Sequence, residues 1–312
     1  MVPTACRNDV GMAIFSRLEH RGAAVPQHGR DTVTAMSKKL PVIAAIPNYN
    51  MGHHLRKLLP QVLAQGYERV YVFDDGSTDD SVEVVKEFNG AVEIIVAPEN
   101  QGCTANRNQV LKVIEGGELI HFIDADMDLM TDNIADVARD VAGRYVDRGV
   151  GAIGGLVSRA DGSQEPYNFG PAFSLQTHVT GVPPVLDRLR DRPELARSIQ
   201  QAVRPIVKNY PNVLDAPVAQ ETFWLHEGNM LIYADVYRSI GGYDINMRNH
   251  GAQDLAIRLQ KRGIKRWFDP SIEVIHHYID VRGKKRKKQQ YESLRYLLGK
   301  HGVKAWFTGV YR

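Results

Sequence analysis

The clearest indication of the fold is the stretch Val70-Tyr71-Val72-Phe73-Asp74-Asp75-Gly76-Ser77. Its four apolar residues predict a short buried strand, and the acids and the glycine that follow predict a polar turn at its end. A second apolar run, Leu119–Ile123, ends in the same way with Asp124-Ala125-Asp126. Strands of this kind are typical of open α/β sheets, in which ligands bind at the carboxyl ends of the strands.

Strands and helices alternate along the first half of the chain. Predicted strands cover residues 42–46, 70–73, 92–96 and 119–123, and predicted helices cover 54–63, 81–88 and 102–114. Because each helix is about three turns long and joins two strands, the pattern indicates βαβ units with helices on both faces of a sheet. We therefore predict an α/β fold of one domain with a Rossmann-like sheet that is mixed but mainly parallel.

Length and composition fit a large folded domain. The chain has 312 residues, 43% of them apolar and 24% charged, and its formal net charge of +3 is too small to indicate a nucleic-acid partner. Its two cysteines, Cys6 and Cys103, form no disulfide framework, which favours a reducing compartment. No apolar run approaches the ~20 residues of a membrane span, and the start lacks the apolar core of a secretion signal. We expect a cytoplasmic protein.

Asp124 and Asp126 are the first candidates for chemistry. Both directly follow a predicted strand, so their carboxylates reach the ligand edge of the sheet. There they can bind a divalent cation, Mn²⁺ or Mg²⁺, and the hydroxyls of a ribose. Such a cation neutralises the charge of a diphosphate leaving group. The alternative is a solvated acidic loop that caps the next helix.

The ends of the first two strands carry further polar candidates. Asp75 can accept the imide N–H of a uracil ring, whereas we interpret Asp74 as part of a helix N-cap. At the end of the first strand, Pro47, Tyr49 and Asn50 are candidates for binding a nucleotide, with Tyr49 stacked on the base. Ordinary turn chemistry is the alternative for these three residues.

A fourth polar cluster precedes the third predicted helix. Asn100 and Gly102 stand before this helix, and Arg107 lies on it. A glycine at a helix start leaves backbone N–H groups open for an anion, and Arg107 follows about a turn and a half later. The alternative for Arg107 is a surface position on an amphipathic helix.

Three residues of the second half are also candidates. Asp254 stands near the start of a helix, where a carboxylate can deprotonate a hydroxyl or can simply favour the helix dipole. His276 and His277 end a strand-like segment. Because the side chains of a strand alternate, only one of these rings can point at a site on a given face. A lone histidine is more often structural than a ligand.

Taken together, these motifs resemble the family 2 glycosyltransferases, which have the GT-A fold. The resemblance runs from about Lys39 to about Tyr278. The segments that carry it are Ile46-Pro47-Asn48-Tyr49-Asn50, Asp74-Asp75-Gly76-Ser77-Thr78-Asp79, Asn100-x-Gly102 with Arg107-Asn108, Asp124-Ala125-Asp126, Gly228-Asn229-Met230, Ile240-Gly241-Gly242-Tyr243-Asp244 and Asp254-Leu255-Ala256-Ile257-Arg258-Leu259.

The resemblance implies an inverting sugar transfer. The donor would be a nucleoside-diphosphate sugar, by analogy a UDP-sugar, and the acceptor hydroxyl of a glycan, a lipid-linked molecule or a protein would displace the diphosphate in one step. Asp75 would then bind the base, Asp124 would lie at the ribose, and Asp126 would bind the metal. One of the two histidines would be a further ligand of the metal or diphosphate, and we choose His277.

One segment departs from the family's pattern. The family usually places Glu-Asp shortly before the helix acid, and that Asp is commonly the base, but residues 251 and 252 are Gly and Ala. Asp254 is the only acid left in this segment, so the resemblance makes it the catalytic base, with Asp244 and Glu221 in reserve. The alternatives are a degenerate protein that only binds nucleotide sugars and a nucleotidyltransferase, although the loop 48–53 lacks the basic, glycine-rich character that a triphosphate needs.

The chain divides into four parts by these criteria. We expect residues 1–36 to be an extension without fixed structure, 37–130 to bind the nucleotide sugar, 131–280 to bind the acceptor, and 281–312 to form a basic segment and an amphipathic helix. The basic run 282–288 is either a solvated face or a contact with anionic lipid, which would place the protein at the inner face of a membrane.

Overall fold

The computed structural model describes residues 40–180, 189, 191–203, 205, 216–277 and 286–311. The predicted extension 1–36 and most of the basic run 282–288 lie outside these residues. The described strands are β1 (Val42–Asn48), β2 (Arg69–Asp74), β3 (Glu93–Val96), β4 (Leu119–Ile123), β5 (Met127–Leu129), β6 (Val150–Ser158), β7 (Phe169–Gly170), β8 (Gln220–Thr222), β9 (Trp224–Leu225), β10 (Asn229–Tyr233) and β11 (Lys265–His276). The described α-helices are α1 (Gly52–Leu63), α2 (Ser81–Lys86), α3 (Cys103–Asn108), α4 (Ile134–Tyr145), α5 (Leu175–Thr180), α6 (Pro193–Val203), α7 (Ala234–Ser239), α8 (Gly251–Gln260), α9 (Arg286–His301) and α10 (Val303–Thr308).

One large mixed sheet organises the described residues. Its strand order is β3-β2-β1-β4-β10-β6-β11-β5, and β8 pairs with β11 beside this path. The pairs among β1 to β4 are parallel, as predicted. The second half of the sheet adds antiparallel neighbours, because β10 runs antiparallel to both β4 and β6. The sheet is therefore mixed, and its parallel part is the half that the sequence predicts most clearly.

Helices cover both faces of the sheet, which confirms that part of the predicted fold. Along β1, Ile43 and Ala45 belong to one core, which also contains Tyr237 of α7. Ala44 and Ile46 belong to the other core, which contains apolar residues of α1 and α2. The two sets alternate because successive side chains of a strand point to opposite faces. A third core packs α4 against the start of β4 and against β6.

The helix α1 shows how sequence spacing positions the loops of the sheet edge. Its apolar residues Leu55, Leu58, Leu59 and Val62 recur at helical spacing and are fully buried. At its first residue the N–H of Gly52 donates to Oδ2 of Asp79 at 2.9 Å, so the loop after β2 satisfies one of the open donors of this helix. The loops after β1 and β2 are thereby tied to each other.

The strand β10 is a feature that the sequence analysis does not predict. It lies between β4 and β6, with Asn229 opposite Ile123 and Met230 opposite both Phe122 and Gly154. This register brings the residues just before Asn229 beside Asp124, at the carboxyl end of β4. No helix within the described ranges is both long and apolar enough to cross a bilayer.

Candidate functional site

The turn after β2 is built around the buried carboxylate of Asp74. Its Oδ1 accepts the backbone N–H of Ser77 at 2.8 Å, and its Oδ2 accepts the side-chain N–H of Asn48 at 2.7 Å. These bonds close the turn and join it to the end of β1. Asp74 thus has a structural role, although it closes a turn and does not cap a helix.

Asp75 joins the end of β2 to the start of α3. It is 2% exposed, and its carboxylate oxygens accept the backbone N–H groups of Gln101 at 2.9 Å and Gly102 at 2.8 Å. Burial raises the pKa of Asp75, and these two donors offset only part of that effect. Gly102 has a φ of 96°, a conformation that favours glycine. The carboxylate is therefore fixed at the strand end.

The other predicted donor-binding residues surround the same edge. Asn50 has a left-handed φ of 53°, and its side-chain Oδ1 accepts the backbone N–H of Thr78 at 2.7 Å. Pro47 and Tyr49 are half-buried beside it at the end of β1, whereas Asn100 is exposed before α3. The structure thus places Pro47 at the end of β1, Tyr49 and Asn50 on the loop that follows β1, and Asn100 on the loop that follows β3.

Arg107 of α3 points inward and forms an ion pair with Asp124. The arginine side chain is 6% exposed, and the Asp124 side chain is 24% exposed. Burial lowers the pKa of Arg107, but the charges of Asp124 and Glu227 outweigh it, so the pKa is raised. The alternative of a surface arginine is therefore wrong, and Asp124 has a fixed cationic partner behind the open edge of the sheet.

Gly228 leaves the space in which the carboxylate of Asp124 lies. A Cβ atom at residue 228 would be 2.5 Å from Oδ2 of Asp124 and 2.5 Å from Cε of Met127. Gly228→Ala must displace the carboxylate, at a cost of about 1–3 kcal/mol, and if Asp124 binds a nucleotide, as the sequence predicts, the substitution should weaken that binding about tenfold or more. Titration calorimetry with UDP measures this. Gly143→Ala is the matched control, because a Cβ there meets nothing within 4 Å, and equal affinities of the two variants would contradict the role of Asp124.

Asp126 lies beside His276. The antiparallel pairing of β11 with β5 sets His276 opposite Met127, so its ring reaches Asp126, with 3.3 Å between Nε2 and Oδ2. The Nδ1 of His276 is 3.8 Å from Oε1 of Glu165. Burial lowers the pKa of His276, but the neighbouring carboxylates of Asp126 and Glu165 raise it to about 10. Asp126, His276 and Glu165 form one cluster.

His277 points to the other side of β11. Its Nε2 is 2.7 Å from Oδ2 of Asp128, and its backbone N–H donates to the carbonyl of Asp126 at 3.0 Å. The expected alternation of the two rings is thus present. The choice of His277 is not supported by this geometry, since the side chain nearest to Asp126 is that of His276.

Asp254 belongs to a buried ion network that includes the helix α9. Its Oδ1 is 2.7 Å from both Lys300 Nζ and His301 Nε2, and its Oδ2 accepts Nε–H of Arg258 at 2.8 Å. Asp254 is 0% exposed. Burial raises its pKa, but the bond to His301 and the charges of Arg258 and Lys300 lower it to about 2. A carboxylate held in this way is a weak base, so the structure does not support the predicted catalytic role.

Three residues in or near this cluster escape the sequence analysis. Glu165, His226 and Glu227 lie in loops without a recognisable spacing. Burial, together with the neighbouring His276, lowers the pKa of His226 to about 4. The signal that could have identified His226 and Glu227 is their position, because they directly precede the Gly228-Asn229-Met230 segment that carries part of the resemblance.

The mixed sheet with helices on both of its faces is the GT-A fold. Over 93% of this chain and 71% of the other, it is similar to the mannosyltransferase PcManGT from Pyrobaculum calidifontis, solved with GDP-Man and Mn²⁺, at 15% identity and a TM-score of 0.54. It is also similar to S. aureus TarS 1-349, solved with UDP-GlcNAc, over 83% of this chain and 66% of that one, at 13% identity and a TM-score of 0.53. At such identities the likeness shows the fold.

A sequence comparison gives the family. The family model described as glycosyl transferase family 2 matches residues 43–168, which include β1 to β6. The glycosyltransferase GlyA of Streptococcus pneumoniae serotype 4 is 33% identical over 117 residues, which are 36% of this chain and 16% of that relative. Residues 43–168 therefore match glycosyl transferase family 2, which supports the predicted resemblance, and the matched region spans only a small part of this relative.

Proposed function

We propose that this protein transfers a sugar from a nucleoside-diphosphate donor, a UDP-sugar, to an acceptor hydroxyl with inversion. The observation that supports this most is the position of Asp75, Asp124 and Asp126 after the carboxyl ends of β2 and β4, two parallel strands that lie on either side of β1. Asp75 would face the base and Asp124 the ribose. Arg107 holds Asp124 in place by its ion pair.

The residues at Asp126 fit a divalent cation, Mn²⁺ or Mg²⁺, that is shared with the donor. Within the described ranges no three His, Cys, Asp or Glu side chains form a group that could hold a metal. Asp126 and His276 supply two ligand side chains next to each other, and Mg²⁺ sites are commonly completed by water and substrate phosphates. We therefore propose His276, in place of His277, as the second ligand. A bound cation would neutralise the charge of the diphosphate.

The transfer itself is a single displacement. The acceptor oxygen attacks the anomeric carbon, the bond from that carbon to the diphosphate oxygen breaks, and the diphosphate leaves with the electron pair. The acceptor loses its proton to a base on the protein. The acceptor is a glycan, a lipid-linked molecule or a protein, and the half of the chain from 131 to 280 would bind it.

A protein that binds nucleotide sugars without transferring them is the second candidate. It is favoured by one observation, namely that Asp254 is buried in an ion network while residues 251 and 252 carry no acid. Turnover distinguishes it from a transferase, because both bind the donor.

A nucleotide screen tests the donor site. We expect one of UDP, GDP, CDP and dTDP, with UDP first, to stabilise the protein in the presence of Mn²⁺ and to lose this effect in EDTA. A ligand at ~100 times its dissociation constant adds about 2.7 kcal/mol to the free energy of unfolding, which a thermal-shift assay detects. The control is the variant Asp136→Asn, which changes an exposed carboxylate on α4 and should show the same nucleotide-dependent shift as the wild type. No shift with any nucleotide would contradict the proposal.

The location of the protein remains part of the proposal. We propose a cytoplasmic protein that touches the inner face of a membrane through the basic run 282–288. Within this run Lys288 is described, at the start of α9, with 81% of its side chain exposed. Each basic residue near an anionic surface contributes about 1 kcal/mol to binding.

A further inference from the structure

The start of α8 lacks the acids that the family pattern leads one to expect. Residues 251 and 252 are Gly and Ala, and the carboxylate of Asp254 is already bound by the side chains of Arg258, Lys300 and His301. A proton acceptor for the proposed transfer must therefore come from another element, and it must lie near the strand-end acids.

Glu227 occupies the space beside Gly251. A Cβ atom at residue 251 would lie 2.8 Å from Oε1 of Glu227 and 3.2 Å from Cγ2 of Thr104. The carboxylate of Glu227 is thus packed against the first residue of α8, where a side chain at 251 would otherwise stand. Glu227 itself is half-buried on the loop between β9 and β10.

The pairing of β10 brings Glu227 to the proposed donor site. Asn229 lies opposite Ile123, and the carbonyl of Gly228 accepts the backbone N–H of Asp124 at 3.2 Å. Residue 227 therefore stands beside the Asp124–Asp126 segment. Its charge also acts on Arg107 and helps to raise the pKa of that guanidinium. Glu227 and Asp124 thus flank the same arginine.

We propose that Glu227 is the general base of this protein, in the place of the missing acids of α8. A carboxylate oxygen of Glu227 accepts the proton of the acceptor hydroxyl while the acceptor oxygen bonds to the anomeric carbon and the diphosphate departs. The proton then passes from Glu227 to water. This inference rests on the proposed function, since it assigns one residue of that reaction.

The test compares turnover with donor binding in Glu227→Gln, which keeps the size of the side chain but removes its basicity. The probes are UDP-glucose, UDP-galactose and UDP-N-acetylglucosamine, with water as the acceptor and UDP release as the readout. We expect the fastest of these reactions to slow about 10²–10⁴-fold, with an unchanged thermal shift on UDP and Mn²⁺. Glu227→Asp, which shortens the side chain but keeps the carboxylate, should retain an intermediate rate.

Glu115→Gln is the matched control, because the Glu115 side chain is 78% exposed before β4, at the opposite end of the strands. Turnover by Glu227→Gln within threefold of the wild type would overturn the inference. Loss of UDP binding together with turnover would also overturn it, since Glu227 would then hold the donor. If the wild type binds UDP but releases it from no donor, the transfer proposed above fails first, and the two failures are distinguished.

Discussion

Asp126→Asn should lower kcat/KM for UDP release from a UDP-sugar at least about 100-fold, which corresponds to about 2.7 kcal/mol of transition-state stabilisation. The reason is that Asp126 supplies the carboxylate that would bind the cation of the leaving diphosphate. The substitution keeps the shape of the side chain and removes its charge. Initial rates across a range of Mn²⁺ concentrations measure the effect, and high Mn²⁺ should restore part of the rate.

A pair of histidine variants decides which ring assists Asp126. His276 lies 3.3 Å from Asp126, whereas His277 is bonded to Asp128. We expect His276→Ala to weaken the response to Mn²⁺ about tenfold or more and His277→Ala to stay close to the wild type. A larger effect of His277→Ala than of His276→Ala would instead identify His277 as the second metal ligand, as the family resemblance led us to predict. Full activity of Asp126→Asn would remove the metal from the proposed mechanism.

Asp254→Asn should lower the free energy of unfolding at pH 7 by about 2–3 kcal/mol. The folded pKa of Asp254 is depressed to about 2, below the ~3.9 of an unfolded chain. A depressed pKa stabilises the fold above pH ~4, and this contribution is lost as the pH falls through the folded value. The difference between wild type and variant should therefore shrink between pH 4 and pH 2, which urea unfolding at several pH values measures.

Asp235→Asn is the control for this prediction. The Asp235 side chain is 48% exposed and pairs with Arg238 at 3.5 Å, and surface pairs of this kind contribute about 0–1 kcal/mol. Turnover of Asp254→Asn, measured below its melting temperature, should stay within about tenfold of the wild type. A variant that is as stable as the wild type but has lost turnover would restore Asp254 as the catalytic base.

The part of the site that the sequence predicts consists of residues fixed by local order along the chain. Asp75, Asp124 and Asp126 each follow an apolar strand, and parallel strands bring their ends to one edge of the sheet. Arg107 could be placed at the same edge because its helix follows the next strand. For these residues, the strand that each one follows is enough to predict that their side chains lie close together.

The residues that the sequence does not place depend on contacts between distant segments. His276 reaches Asp126 only because β11 pairs with β5, and no local pattern distinguishes it from His277. The ion network of Asp254 also depends on a distant segment, because its partners Lys300 and His301 lie at the end of α9. The position of Glu227 beside Asp124 depends on the antiparallel pairing of β10. The five residues of this strand show no alternation between apolar and polar side chains, so its sequence does not predict it.

The insertion of β10 between β4 and β6 also sets the order in which the sheet can form during synthesis. About 100 residues separate Ile123 from Asn229, its partner across the strands, and non-local pairs of this kind form slowly. At ~5–20 residues per second the ribosome needs roughly 5–20 s to reach β10. Until then one edge of the buried strand β4 has no partner, and unpaired apolar edges favour wrong pairing. We therefore expect wrong pairing to be most frequent while β4 has been synthesised and β10 has not.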